Sequence, residues 1–139
     1  MKILIMGLPG SGKTWLAERL QKHLECAWYN ADAIRKMAND WEFSEEARLR
    51  QARRMRNLAD YEKGCGRTVI CDFVCPTEMT RYIFEADLTI WMNTIQEGRF
   101  EDTNKMFEEP TDFDYIIEEF LSDDKIEQMA KRMKELYNV

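Results

Sequence analysis

Eight residues near the amino terminus, Gly7-Leu8-Pro9-Gly10-Ser11-Gly12-Lys13-Thr14, follow the spacing G-x-x-x-x-G-K-T. That spacing suits a polyphosphate. A triphosphate is too strongly hydrated for apolar packing to hold. It is gripped by inward-pointing backbone N–H groups at the positive end of a helix, in a loop shaped here by Gly7, Pro9, Gly10, Ser11 and Gly12. Lys13 would reach the β and γ phosphates, and the Thr14 hydroxyl would take one coordination position on Mg²⁺. ATP and Mg²⁺ are the cofactors this chemistry expects.

Three further residues could act on such a ligand. Asp32 follows a short strand candidate and Asp72 ends an apolar one. Phosphoryl transfer needs a held Mg²⁺ and an acceptor hydroxyl aligned for in-line attack, and an aspartate at a strand end can serve either need. For Asp72 a helix or loop cap is the competing reading. The third residue is Arg48, in a run with Arg50, Arg53, Arg54 and Arg56. Stepping about 100° per residue puts Ala47, Arg48, Gln51, Ala52, Met55, Leu58 and Ala59 on one arc and the other four arginines outside it. An inward arginine needs an anion, because an unpaired buried charge costs several kcal/mol, on the order of 3–5. A bound anionic substrate would meet that need; an internal ion pair with a carboxylate such as Asp32 would also.

The elements that must position these residues alternate in type. Ile3 to Met6 form an apolar run suited to a strand buried on both faces, and Leu16, Leu20 and Leu24 recur at helical spacing after the loop. Cys26–Tyr29, Thr68–Cys71, Leu88–Met92 and Tyr115–Ile117 read as further strands. Helices are expected over about 32–37, from a Ser44 cap to about Lys63, from Pro76-Thr77 to about Ala86, and from a Ser122 cap onward. Ile126, Met129, Met133 and Leu136 or Tyr137 form the stripe of that last helix. From Asn93 to Asp112 the pattern dissolves into charged residues with isolated Phe100, Met106 and Phe107.

The alternation implies an α/β fold of the P-loop NTPase type, a three-layer sandwich with a mostly parallel five-stranded sheet and helices on both faces. Residues 1–139 read as one domain with a lid-like segment at about 93–112. In such sheets ligands lie beyond the carboxyl ends of the strands. The phosphate loop, Asn30 to Arg35, Asp72 to Pro76 and the stretch after Met92 should therefore surround one site, with the start of the long helix as a further wall.

Composition narrows the partners. With 45% hydrophobic and 33% charged residues the balance is ordinary for a globular chain, and a net charge of -6 opposes a nucleic-acid backbone as main partner. Cys26, Cys65, Cys71 and Cys75 form no C-x-x-C pair and His23 is the only histidine, a poor set for structural zinc. No run is long enough to span a bilayer, and a cytoplasmic location is expected.

Taken together, the loop, Asp32 with Arg35, Phe43-Ser44 followed by Arg48 and Gln51, and Phe73-Val74-Cys75-Pro76 with Arg81 resemble the adenylyl-sulfate (APS) kinase family. That family phosphorylates the ribose 3′ hydroxyl of adenylyl sulfate with Mg-ATP. The resemblance implies that Lys13 and Asp32 are catalytic, with Asp32 near the acceptor hydroxyl and the metal. It implies that Arg35, Phe43, Arg48 and Gln51 contact the substrate, that Phe73, Val74 and Cys75 line its pocket, and that Phe100 matches the lid phenylalanine. Thr14, Asp32 and Asp72 are the expected metal residues. Phe43 and Phe100 are the expected purine stackers. The sequence departs from the family at Asn30, where an aspartate is usual, at Ala33 for asparagine, at Cys75 for a serine, and in a lid without its Arg-Asp-x-Lys segment. The expected partner is adenylyl sulfate, with a homodimer left open. Two alternatives remain: a P-loop phosphotransferase for a nucleoside, sugar acid or polynucleotide end, and a catalytically inactive ATP-binding module.

Overall fold

A computed structural model describes residues 1–139. Five strands, β1 (Lys2–Met6), β2 (Ala27–Asn30), β3 (Val69–Asp72), β4 (Leu88–Met92) and β5 (Tyr115–Ile117), form one sheet in the order β2-β3-β1-β4-β5. Every neighbouring pair is parallel, so the sheet is wholly rather than mostly so. The helices are α1 (Lys13–Leu24), α2 (Ala31–Ala38), α3 (Glu45–Gly64), α4 (Glu78–Phe84), α5 (Glu101–Met106) and α6 (Asp123–Tyr137).

The central strand explains the apolar run that marks it in the sequence. Side chains alternate across a strand, and β1 is covered on both sides, so both alternate sets must be apolar. Ile3 and Ile5 enter a core with Leu16, Ala17 and Leu20 of α1 and Ile126, Ala130 and Met133 of α6. Leu4 and Met6 enter a second core with Ala52, Met55 and Ala59 of α3 and Phe84 of α4. The helix starts are fixed by side-chain caps: Ser44 accepts from the Ala47 N–H, Ser122 from the Lys125 N–H, and Thr77 forms a capping box with Thr80.

Two expectations need correction. The stretch from 93 to 112 is not wholly irregular, since it contains α5, a helix of 6 residues too short to show an apolar period. In α6 the buried row is Ile126, Ala130 and Met133, while Leu136 stays 57% exposed. Ile126 and Met133 are buried as expected and Met129 packs against the same core, so the difference is that Ala130 joins the row and its carboxyl-terminal end, Leu136 or Tyr137, does not. Leu16 is fully buried in the core between β1 and α6. Leu16→Ala is expected to lower stability by about 2–5 kcal/mol, read as a lower urea midpoint with an unchanged slope.

Candidate active site

Where β1 ends, the chain passes so close to β4 that only glycine fits. A Cβ on Gly7 would lie 2.5 Å from the Met92 carbonyl oxygen. At the far end of the loop Gly12 has φ 98°, a left-handed conformation that glycine adopts freely, and a Cβ there would meet the Phe120 ring at 2.6 Å. α1 then starts with no side-chain cap and no acidic residue in its first turn, unlike α2, α3, α4 and α6. Its first N–H groups and its dipole are thus left for an anion. Lys13 folds over the loop, its Nζ donating to the Leu8 carbonyl at 2.9 Å. Burial pulls the Lys13 pKa down to about 8, with Asp72 and Asp32 pulling the other way.

Beside the loop, strand register assembles a second group. Asp72 of β3 pairs with Ile5 of β1 on one side and Asn30 of β2 on the other, so its carboxylate lies against the first turn of α1. The Thr14 hydroxyl donates to Asp72 Oδ2 at 2.9 Å, Asn30 Nδ2 donates to the same oxygen at 3.1 Å, and Trp28 Nε1 donates to Asp72 Oδ1 at 2.6 Å. Burial pushes the Asp72 pKa up, and these three donors pull it back. A hydroxyl and a carboxylate side by side are hard oxygen donors, the set that suits Mg²⁺ when phosphate oxygens and water complete the shell. Asp32 lies apart from this pair. It is exposed in the first turn of α2 and bonds to neither Thr14 nor Asp72.

A third group lies on α2 and α3. Arg35 and Arg48 are 5% and 8% exposed, yet neither meets a carboxylate. Arg35 donates to the carbonyls of Asp40 and Glu42, and Arg48 to the carbonyl of Phe43 and to Thr103 Oγ1, the last at 2.6 Å. Both guanidiniums lie against the Phe43 ring, with 4.5 Å and 5.5 Å to its centroid. Burial lowers the pKa of each. The internal pairing of Arg48 with Asp32 is thus not made. The nearby carboxylate that does pair, Asp40, is taken by Arg50 and Arg54, on the outer side of α3. Gln51 faces inward and donates to the Ala31 carbonyl at 3.2 Å, tying α3 to the start of α2.

The remaining residues divide. Phe73 and Cys75 are buried, Phe73 edge-on to Phe84, and the Val74 carbonyl accepts from the Gly7 N–H. Cys75 has φ 47° and a thiol pushed up to about 12 by burial, so it is held as a neutral thiol. Phe100 is exposed at the start of α5 with Arg99 over its ring, and has not been drawn into the Arg35–Phe43–Arg48 stack. Sequence reasoning missed Trp28 and Thr103. Trp28 had a signal, since it lies two residues before Asn30 on the same face of β2; Thr103 had none. Further contacts bring the 93–112 segment onto the phosphate loop: Thr94 Oγ1 donates to the Ser11 carbonyl at 2.7 Å, and Gly98 packs on Pro9.

A wholly parallel sheet with this loop at its centre is the α/β fold of P-loop kinases. The chain belongs to the AAA domain family, whose model matches residues 3–133. It is 34% identical over 88 residues to a probable adenylyl-sulfate kinase of Aeropyrum pernix, a match covering 57% of this chain and 46% of that protein. The matched region thus spans less than half the length of that curated relative. The fold is similar to the Mycobacterium tuberculosis APS kinase solved with AMPPNP and APS, with a TM-score of 0.75, 18% identity, and coverage of 99% of this chain and 97% of the other. It is also similar to the shikimate kinase of Aquifex aeolicus, with a TM-score of 0.66, 14% identity, and coverage of 99% and 98%. No helix is long and apolar enough to cross a membrane.

Burial of the Lys13 ammonium comes at a cost to stability. Its folded pKa lies below the usual lysine value, so from about pH 8 up to the unfolded value the unfolded chain binds more protons and stability rises with pH. Lys13→Met is expected to raise the denaturation midpoint at pH 7 and to flatten this rise. The same change should weaken ATP binding by about 10-fold or more, the loss of a charge-assisted hydrogen bond, as measured by calorimetry.

Proposed function

We propose that this protein transfers the γ-phosphoryl group of ATP to the ribose 3′ hydroxyl of adenylyl sulfate. The observation that carries the reading is the pair of buried guanidiniums, Arg35 and Arg48, set against one aromatic ring and hydrogen-bonded only to neutral acceptors. Two such charges hold each other at a cost that an anionic ligand would relieve. The partial sequence match to a probable adenylyl-sulfate kinase supports the same acceptor.

Residues 1–139 act in this reading as one cytoplasmic kinase domain, with 93–112 as a shortened lid. The loop N–H groups from Gly7 to Thr14 and the Lys13 ammonium hold the triphosphate. Mg²⁺, when bound, supplies charge neutralisation on the β and γ phosphates, and Thr14 and Asp72 are the residues that would hold it. Arg35 and Arg48 grip the acceptor's anion, and Gln51 keeps their two helices together. The Phe73–Cys75 segment borders the acceptor pocket at Val74, with the Phe73 and Cys75 side chains turned into the core behind it. The acceptor purine lies on the exposed part of Phe43, the half of that ring its two arginines leave open, with Phe100 closing from the lid. The acceptor oxygen forms a bond to the γ phosphorus as the bond to the ADP oxygen breaks. ADP leaves with that electron pair, and Asp32 takes the hydroxyl proton.

A second reading, a hydroxy acid as acceptor, is favoured by the same two guanidiniums, which would hold a carboxylate as readily. An acceptor panel separates the two. With ATP, Mg²⁺ and adenylyl sulfate, ADP release well above the ATP-only background is expected; background release with intact ATP binding would end the substrate claim. Arg48→Ala is expected to raise the acceptor KM by about 10-fold or more with ATP affinity nearly unchanged. Equal loss of both affinities would count against its assignment.

A further inference from the structure

Asp72 is buried to 2% exposure and its two oxygens are not equivalent. Oδ2 accepts from the Thr14 hydroxyl and Asn30, while Oδ1 receives the indole N–H of Trp28 at 2.6 Å, the carboxylate's shortest bond, and a longer one from Asn30 at 3.4 Å. Trp28 is half-buried on β2 and packs against the α1-side core, so the indole is itself held by packing. A carboxylate has a two-fold torsion about its last bond and will turn unless something pins one oxygen. A donor on Oδ1 does this and keeps Oδ2 beside the Thr14 hydroxyl, at the first turn of α1.

We infer that Trp28 is a positioning residue for metal binding: its indole N–H fixes the Asp72 carboxylate so that Oδ2 meets the cation held with the nucleotide phosphates. Such partners of metal ligands act on affinity for the ion rather than on the nucleotide directly. The inference rests on the nucleotide-binding half of the reading above and is independent of the acceptor.

Two substitutions separate the N–H from the bulk of the ring. Trp28→Phe keeps much of the aromatic packing and removes the donor. Trp28→His removes the benzo ring and keeps a ring nitrogen, because the imidazole Nε2 overlays the indole Nε1 once the ring is turned by about 180° around χ2. The readout is binding of the β,γ-imido analogue of ATP by calorimetry across a Mg²⁺ series and in EDTA, with melting temperatures for each variant. Trp28→Phe is expected to raise the half-saturating Mg²⁺ concentration by about 10–100-fold with EDTA affinity unchanged, and Trp28→His to stay near the unmodified protein. Equal Mg²⁺ dependence in all three proteins would overturn the inference. So would a loss that follows ring bulk, with the His variant as impaired as the Phe variant or with EDTA affinity falling in step. In the unmodified protein the Trp28 indole N–H resonance should move when Mg²⁺ is added to the analogue complex, and a stationary resonance would also overturn it. Unmodified protein that binds no analogue in either condition would refute the kinase reading along with this inference.

Discussion

Asp72 is the point where three parallel strands end together, and the site depends on that register. Ile5, Asp72 and Asn30 are aligned across β1, β3 and β2, which brings the carboxylate, the amide and the first turn of α1 within hydrogen-bond reach. A slip of one residue in β3 would turn Asp72 to the opposite face and bring Cys71 or Phe73 against Thr14. The alternation of Ile3 and Ile5 with Leu4 and Met6, buried in two different cores, opposes such a slip in β1. Core packing thereby sets the position of the polar cluster.

Around that point the structure holds more charge than packing alone would favour. Lys13 is desolvated over the phosphate loop, Asp72 is pushed toward its neutral form by burial, and Arg35 and Arg48 share one ring without a salt bridge to either. Each is a local conflict between burial and ionisation, the kind that clusters at functional sites. The outer arginines differ. Arg50 and Arg54 converge on Asp40 and hold its carboxyl well below the usual range, so the charge run of α3 is neutralised on its solvent side and left open on its inner one.

Much of this was legible in the sequence. The phosphate loop, the caps at Ser44 and Ser122, and the boundaries of β4 and β5 follow from local rules, since each depends on residues within a few positions. The inward position of Arg48 followed from helical stepping alone, and Ala47, Gln51, Ala52, Met55 and Ala59 are buried beside it. What the sequence could not display is contact across distance. Trp28 reaches Asp72 over a separation of 44 residues, hinted at only by the face it shares with Asn30, and Arg48 reaches Thr103 over 55 with no local sign at all. Phe43 is the instructive case. An exposed aromatic near a phosphate site suggests purine stacking, but the fold sets its ring beside two guanidiniums, which changes how much of it a base could cover.

The most direct measurement is a crystal structure of the protein with the β,γ-imido ATP analogue, Mg²⁺ and adenylyl sulfate together. The account predicts the triphosphate inside the Gly7–Thr14 loop, with the acceptor's anionic group between Arg35 and Arg48 and its 3′ hydroxyl facing the γ phosphate. An acceptor bound elsewhere, with both guanidiniums still on the carbonyls of residues 40, 42 and 43, would contradict it.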